Sequence, residues 1–566
     1  MDIRKSVIAT TMIVLILIMG LVPLSNLLSS RDVQNDHVVT QTLMNFRRHK
    51  EGWNGKLVEG VMDIEDAWAI EDTHDESEIP LVTRMLCNGA EMGYDRNSRT
   101  FYCTLGMGEN HEWEVFDMFA GGNTALTRSA WIDDYAYDDR LEAIREGYRY
   151  ELMAYNEESY EYIGIVFTGL PIVTLHIQYD GKLGEEYVPA RASIASSEHE
   201  PVDTAALTHL RGGGFSLGPG KVSYRLQFHD EFSGSKERKN KISVLGMKED
   251  SEWLLLSNRQ DNTCVRNYLS FDMWKRWNEN GSTLMQMDSR LVELCVNDEY
   301  VGIYQIMQRV RPEMEIRHAG GDLDTDCLVR LVTAVNVGEK PWVDMREEAG
   351  IVAEYRYGAN GNARRAFEYF ENYALLNRRG EGQIDDVLFE ELVTRHVDID
   401  DVISYYLFMQ ACGLVSDNAL NNLYIWTFVD DDNYVYRFSP WDMDRGFPTP
   451  KYFDGYEIFE RFNTTMVMPR RMLDLNVGNS REKIWKLWEE KRNTLLSDEA
   501  LYAWMMDMEE WINKSGAYRR ESERWHGDAE ELNLSGVLHY ALEQMEIVEN
   551  SMNEAWPLEV DQKTQN

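Results

Sequence analysis

Basic residues are scarce in this sequence. The 566 residues include 57 Lys and Arg against 97 Asp and Glu, which gives a formal net charge of −40. A chain with this balance cannot neutralise a run of phosphates, so nucleic acid is excluded as a partner. The negative field favours cationic partners through electrostatic steering. The alternative is that the charge only keeps an exported protein soluble.

Cysteine is also sparse, and no two of the six cysteines form a C-x-x-C pair. A zinc site of that type is therefore not expected. Cys87 and Cys103 flank a predicted hairpin turn, and a disulfide between them is possible in an exported protein. The other four stand singly in apolar contexts and are predicted to be buried thiols: Cys264, Cys295, Cys327 and Cys412.

The sequence contains a single long apolar run, from Val7 to Leu24. Its length is at the lower limit for crossing a bilayer, which takes about 20 residues. Arg4 and Lys5 precede it and predict a cytoplasmic N-terminus with the remainder extracytoplasmic. Because no A-x-A cleavage pattern follows, we favour an uncleaved membrane anchor over a cleaved signal, which would give a secreted protein.

The rest of the chain predicts an α+β protein with two lobes. Short runs rich in Tyr, Val, Phe and Thr predict a small β-rich domain, and the larger part that follows changes from strand patterns to helix patterns near residue 360. The predicted segments are an anchor (1–30), a stalk (31–75), the β-rich domain (76–168), the main domain (169–555) and a polar tail (556–566).

The segment SPWDMDRGF, residues 439–447, places Asp442 and Asp444 one residue apart. Carboxylates this close repel each other, so they need either water or a cation. The alternatives are a metal site and an acidic surface turn. The large apolar neighbours Trp441 and Phe447 favour the metal site, because a solvated turn has little need of them.

A predicted hairpin leads into this segment. The runs NNLYIWTFV and YVYRFSPW are joined by an acidic turn, so that Val429 faces Tyr434. Counting back along an antiparallel ladder places Asn422 opposite Trp441, with Asp417 just upstream.

An amide and two or three carboxylates at one point are suitable ligands for Mg²⁺, with substrate phosphates completing the shell. The spacing of Asp417 and Asn422, D-x-x-x-x-N, followed by an acid across a hairpin, is also the arrangement that protein kinases use. The alternative is a helix-terminating turn at Asp417 with Asp442 as a loop cap.

Seven segments in order resemble the spore coat protein H (CotH) kinase family, over about Leu170 to Ser551. They are LPIVTL, LRGGGFS, KVSYRLQF, KISVLGMKEDSEWLLLSNRQDNTCVRNYLSFDM, VELCVNDEYVGIY, SDNALNNLYIW and YRFSPWDMDRGF. The resemblance implies a divergent protein-kinase-like fold. It also implies transfer of phosphate from ATP to protein Ser or Thr with a divalent metal, Mg²⁺ or Mn²⁺.

The resemblance also implies roles for individual residues. Asp417 matches the catalytic base, Asn422 and Asp442 match metal ligands, and Asp444 matches a second ligand or its support. Nucleotide contacts are implied at Arg211, Gly213, Lys221, Arg225 and Arg266. The alternatives are strand-edge solvation for Lys221 and Arg225, a flexible turn for the glycine-rich loop, and pairing with Asp261 for Arg266.

Two departures from the family pattern leave the activity open. Gln308 stands where the family often has an acid that would pair with the nucleotide-binding Lys, and the glycine-rich loop lacks the usual Asn-Ser after its Arg-Gly. On the resemblance as a whole, we expect a membrane-anchored kinase that modifies a basic surface or spore-coat protein. The alternative is a non-catalytic surface or spore-coat assembly protein that uses the same fold for binding.

Overall fold

The structure is a computed structural model that describes residues 56–557 apart from several internal gaps. The gaps are 58–60, 88, 108–117, 122–127, 133–139, 180, 213–219, 231–238, 279–286, 311–325, 333–346, 349–350, 359–362, 379, 381, 415–421, 431–432, 449–465 and 526–529. The predicted membrane anchor lies outside the described residues. None of the helices in the described part is long and apolar enough to cross a membrane.

The N-terminal part contains two β-sheets. One has the order β1-β8-β4-β5, and the other has the order β2-β9-β10-β11-β7-β6 with β3 paired to β11. Buried apolar side chains such as Phe101, Leu152 and Ile165 form a core for these sheets. The elements are β1 (Lys56–Leu57), β2 (Val61–Met62), α1 (Ile64–Glu71), β3 (Asp75–Glu76), β4 (Arg84–Cys87), β5 (Ala90–Glu91), β6 (Gly93–Asp95), β7 (Thr100–Thr104), β8 (Met118–Gly121), β9 (Arg128–Ile132), α2 (Arg140–Glu146), β10 (Arg149–Tyr155) and β11 (Ser159–Thr168).

The cysteines of the structure are thiols. All six are buried and none forms a disulfide. Cys87 and Cys103 lie on β4 and β7, where a hydrogen bond to Cys87 and burial raise the pKa of the Cys103 thiol. The disulfide considered from the sequence is therefore not formed here.

Seven strands then close into a barrel, which the sequence did not predict. The order is β12-β13-β14-β15-β16-β18-β17, and the parallel pairing of β12 with β17 closes the ring. Alternate residues of each strand fill the interior, as Tyr224, Leu226 and Phe228 do. The elements are β12 (Ile172–Ile177), β13 (Val188–Ala195), β14 (Val202–Arg211), β15 (Ser223–His229), β16 (Glu252–Leu256), α3 (Arg266–Trp277), β17 (Ser289–Val296) and β18 (Tyr300–Gln308).

The sequence Asn297-Asp298-Glu299 between two apolar runs predicts a hairpin, and β17 and β18 form it. Val296 and Glu299 exchange backbone hydrogen bonds of 2.8 and 3.1 Å, which leaves Asn297 and Asp298 as a two-residue turn. Both have positive φ, +49° and +64°. This is the turn whose twist matches antiparallel strands, and Asn and Asp tolerate it better than most residues.

The C-terminal part combines a five-stranded sheet, order β20-β21-β19-β22-β23, with helices. The predicted change from strands to helices is confirmed, and so is the α+β class. The elements are β19 (Cys327–Val332), β20 (Glu347–Glu348), β21 (Ile351–Gly358), α4 (Ala363–Leu376), α5 (Asp386–His396), α6 (Ile399–Ala411), β22 (Leu423–Asp430), β23 (Asn433–Pro440), α7 (Val467–Asp474), a 3₁₀ turn (Val477–Asn479), α8 (Ser480–Arg492), α9 (Asp498–Lys514), α10 (Ala517–Trp525) and α11 (Ser535–Ala555).

A polar cluster connects the N-terminal sheets to the barrel. The carboxylate of Glu91, on β5, contacts His176 Nε2 at 3.0 Å and accepts from Ser193 Oγ at 2.9 Å, and Arg84 Nε lies 3.3 Å away. Burial would raise the pKa of Glu91, but the bond and charge of His176 and the charge of Arg84 lower it to about 2. Burial would likewise lower the pKa of His176, but Glu91 raises it.

The Glu91–His176 contact makes stability depend on pH. The raised pKa of His176 means that its stabilisation is complete below the ordinary histidine pKa, about 6.5, and is lost as the pH rises through the raised value. The lowered pKa of Glu91 means that its contribution is lost only as the pH falls toward 2. We therefore expect His176→Gln to lower the melting temperature more at pH 5.5 than at pH 8.5.

The control for this prediction is His539→Gln. His539 is exposed and pairs with Glu543 on the surface of α11, so its replacement should have little effect at either pH. Equal losses for His176→Gln at the two pH values would contradict the prediction.

Candidate functional site

The hairpin β22–β23 has the register predicted from the sequence. Val429 pairs with Tyr434, and the ladder ends at Leu423 and Pro440. Asn422 and the acidic segment therefore begin together at the open end of the hairpin. Asp417, the predicted base, lies outside the described residues, so its position stays a prediction.

Two helices hold the acidic segment in place. The backbone N–H of Met443 donates to Asn267 Oδ1 at 2.9 Å, and Arg266 donates to the carbonyl oxygen of Phe447. The N–H of Phe447 donates to the carbonyl of Cys412 at 2.8 Å. The start of α3 and the end of α6 thus fix both halves of the segment.

Within the segment, the two acids and the residue between them have different surroundings. Asp442 has a positive φ of +55°, a conformation that Asp tolerates better than most residues. Met443 is fully buried, while Asp442 and Asp444 are half-buried. The buried side chain of Met443 therefore anchors the loop between the two acids.

Asn422 has a partner that the sequence did not indicate. Its side chain is buried, and Oδ1 accepts a hydrogen bond from Arg330 Nη2 at 3.0 Å. Arg330 lies on β19, where it pairs with Tyr424 of β22. The only signal in the sequence is a single Arg in the apolar run CLVRLV.

Arg211, which precedes the glycine-rich loop, contacts the acidic segment. Arg211 is the last residue of β14, and its guanidinium carbon lies 5.0 Å from the ring centroid of Trp441. This is a cation–π distance. Gly213 lies outside the described residues, so its predicted nucleotide contact stays a prediction.

Lys221 forms a buried ion pair with Glu521, on α10. Its Nζ donates to both carboxylate oxygens, at 2.8 and 2.9 Å, and to the carbonyl of Ile303 at 2.5 Å. Lys221 is 5% exposed and Glu521 is 1% exposed. The three donors of the ammonium group are therefore all used.

The carboxylate that pairs with Lys221 comes from Glu521 and not from position 308. The side chain of Gln308 donates to the carbonyl of Lys248 at 2.9 Å and takes no part in the pair. Gly302 makes room for Glu521: it has φ +94°, and a Cβ there would lie 1.9 Å from Glu521 Oε2. The expectation that Gln308 leaves Lys221 without an acid is wrong.

The other two predicted phosphate contacts are engaged with carboxylates. Arg225 Nη2 lies 2.5 Å from Glu252, which also pairs with Arg309 and Lys239.

Arg266 is 2% exposed and pairs with Asp261 at 3.1 Å. It thus takes the alternative that the sequence left open, and through Phe447 it holds the acidic segment.

The donor chemistry at the hairpin end fits a hard cation. An amide oxygen of Asn422 and the carboxylates of Asp442 and Asp444 are oxygen ligands of the kind that Mg²⁺ prefers. The amide oxygen has two lone pairs, so the bond from Arg330 leaves one. In the described part of the chain, no three His, Cys, Asp or Glu side chains cluster as a metal site.

Comparison with known families supports the resemblance drawn from the sequence. A family model described as CotH kinase protein matches residues 209–547 of the 566-residue chain. The match includes Arg211, Lys221 and the whole hairpin with its acidic segment. A search of curated proteins found no match.

The close approach of Glu521 to Gly302 predicts an unequal effect of two Gly→Ala substitutions. Gly302 and Gly89 both have positive φ, +94° and +80°, but a Cβ at Gly89 would contact nothing within 4 Å. We expect Gly89→Ala to cost about 1–2 kcal/mol from backbone conformation alone. Gly302→Ala should cost about 3–5 kcal/mol more, because it displaces one partner of a buried ion pair.

Urea denaturation of the two variants measures this difference. Equal losses of unfolding free energy would show that Glu521 does not depend on the space beside Gly302.

Proposed function

Because the chain belongs to the CotH kinase protein family, we propose that it is an ATP-dependent protein kinase. The observation that carries the proposal is the buried Lys221–Glu521 pair. A buried ion pair adds little net stability compared with apolar packing, so stability alone does not account for it. A Lys fixed by a Glu is, however, a part that protein kinases require for phosphoryl transfer.

Each residue of the site has a proposed role in phosphate transfer. Lys221 and Arg211 supply positive charge on the side of the barrel and the glycine-rich loop. Asn422 and Asp442, with Asp444, would hold a Mg²⁺ or Mn²⁺ ion, which when bound neutralises charge on the phosphates. Asp417 would accept the proton of the acceptor hydroxyl and orient its oxygen toward the phosphate.

The acceptor is proposed to be a Ser- or Thr-containing basic protein of the cell surface or the spore coat. The support is the net charge of −40, which raises the local concentration of cationic partners. The apolar run from Val7 to Leu24 supports an extracytoplasmic location with a membrane anchor. Both statements rest on the sequence.

The kinase proposal predicts loss of transfer in two conservative variants. Purified protein is incubated with labelled ATP, Mg²⁺ or Mn²⁺, and a Ser- and Arg-rich peptide. Asp417→Asn and Asp442→Asn keep the side-chain size but remove the proposed base or a ligand charge. Each should reduce phosphate transfer by at least about 100-fold.

The control is Asp400→Asn, an exposed carboxylate that pairs with Lys483 on the surface. It should leave transfer unchanged. A wild type that neither transfers phosphate nor binds nucleotide would overturn the kinase proposal and favour the non-catalytic assembly protein.

A second prediction concerns the buried pair itself. The double variant Lys221→Met/Glu521→Gln replaces both charges together and so avoids leaving one unpaired in the interior. We expect it to fold but to bind ATP about tenfold or more weakly, since the fixed cation is gone. The measurement is calorimetric titration with ATP and Mg²⁺.

The control is Lys239→Met, which removes an exposed cation of the Glu252 cluster. If the double variant binds ATP as tightly as the control does, Lys221 has no part in nucleotide binding.

A further inference from the structure

Arg330 differs from several other arginines of the described residues. Arg225, Arg266 and Arg520 each pair with a carboxylate, as does Arg437. Among the described residues Arg330 has no carboxylate within ion-pair distance, and its one hydrogen bond is the one to Asn422. Its Nε is buried without an acceptor, as is the Nε of Arg225, but Arg225 has a carboxylate partner and Arg330 has none among the described residues.

An arginine in this condition is costly in an acidic protein. Arg330 is half-buried, and of its five N–H donors one donates to Asn422 while the buried Nε has no acceptor. A buried donor without a partner costs about 1–3 kcal/mol, and more for a charged group. Because no carboxylate of the described residues pairs with Arg330, an anion from outside the chain would complete its hydrogen bonds.

The fold places Arg330 where such an anion would arrive. Arg330 is opposite Tyr424 in the β19–β22 ladder, and Asn422 lies two residues before Tyr424, on the same face. The ring of Trp441 contacts Tyr424 at 5.8 Å between centroids and lies under Arg211 at 5.0 Å. Two guanidinium groups therefore flank the open end of the hairpin, one from β14 and one from β19.

We infer that Arg330 is a phosphate-binding residue that contacts the terminal phosphate of a bound nucleoside triphosphate. The planar guanidinium presents paired donors that match two oxygens of a phosphate. The hydrogen bond from Arg330 Nη2 to Asn422 Oδ1 restricts the orientation of the guanidinium group. The inference rests on the proposed function, since it assigns a ligand to the same site.

The competing interpretation is that Arg330 only orients the amide of Asn422. In that case its loss would act through Asn422 on the metal and would weaken ATP and ADP binding alike. A direct contact with the terminal phosphate has a different signature, because ADP lacks that phosphate. The contact also needs no metal, so it persists when the metal is removed.

The experiment compares ATP and ADP binding by calorimetry for the whole chain, with Mg²⁺ and again with a chelator. Arg330→Gln should weaken ATP binding about tenfold or more and ADP binding less than about threefold, under both conditions. Arg330→Lys keeps the charge but not the paired donors, and should recover part of the loss. The matched control is Arg437→Gln, on β23 of the same sheet but paired with Asp398.

The outcomes separate the inference from the proposed function. If the wild type binds ATP and transfers phosphate while Arg330→Gln binds ATP normally, the inference is wrong and the kinase proposal stands. Equal weakening of ATP and ADP also overturns it, in favour of positioning through Asn422. A wild type that binds no nucleotide overturns both. Melting temperatures of all variants establish that they are folded.

Discussion

The Lys221–Glu521 ion pair is the contact that the arrangement of the site depends on. It attaches α10 to the barrel. Two other residues of the same helix also bond to barrel strands. Arg520 makes two bonds of 2.7 Å with Glu293, and Trp525 Nε1 donates to the carbonyl of Val301 at 3.0 Å. Side chains along one short helix thus bond to β17 and β18. Such a set specifies one orientation of the helix more than it adds net stability.

Fixing this helix also fixes the barrel against the helical part of the chain. Ile303 and Met307, on β18, belong to the same buried apolar cluster as Phe408 and Trp441. The core is therefore continuous from the barrel to the acidic segment. Because close-packed interiors transmit displacement, a shift of the barrel would move Arg211 away from Trp441. Arg211 and the acidic segment are held together by packing that lies outside both of them.

A feature could be predicted from the sequence when the residues that determine it lie close together along the chain. The β22–β23 register came out correctly because a short turn and an alternating pattern fix it locally. The pairing of Lys221 with Glu521 joins residues 300 positions apart, and no periodicity indicates it. The family pattern places this acid at position 308, whereas in the structure it comes from α10. The barrel was missed for the same reason, since the parallel pairing of β12 with β17 closes it.

The pairing of Lys221 bears on how the proposed phosphate site would work. Glu521 takes two donors of Lys221 and the carbonyl of Ile303 takes the third, so the ammonium is held in place and much of its charge is compensated. A triphosphate carries several negative charges, and a protein with a net charge of −40 repels it at long range. Local cations that keep donors available must therefore offset that repulsion. Arg330 meets this condition among the described residues, and its place beside Asn422 puts that charge next to the proposed metal ligands.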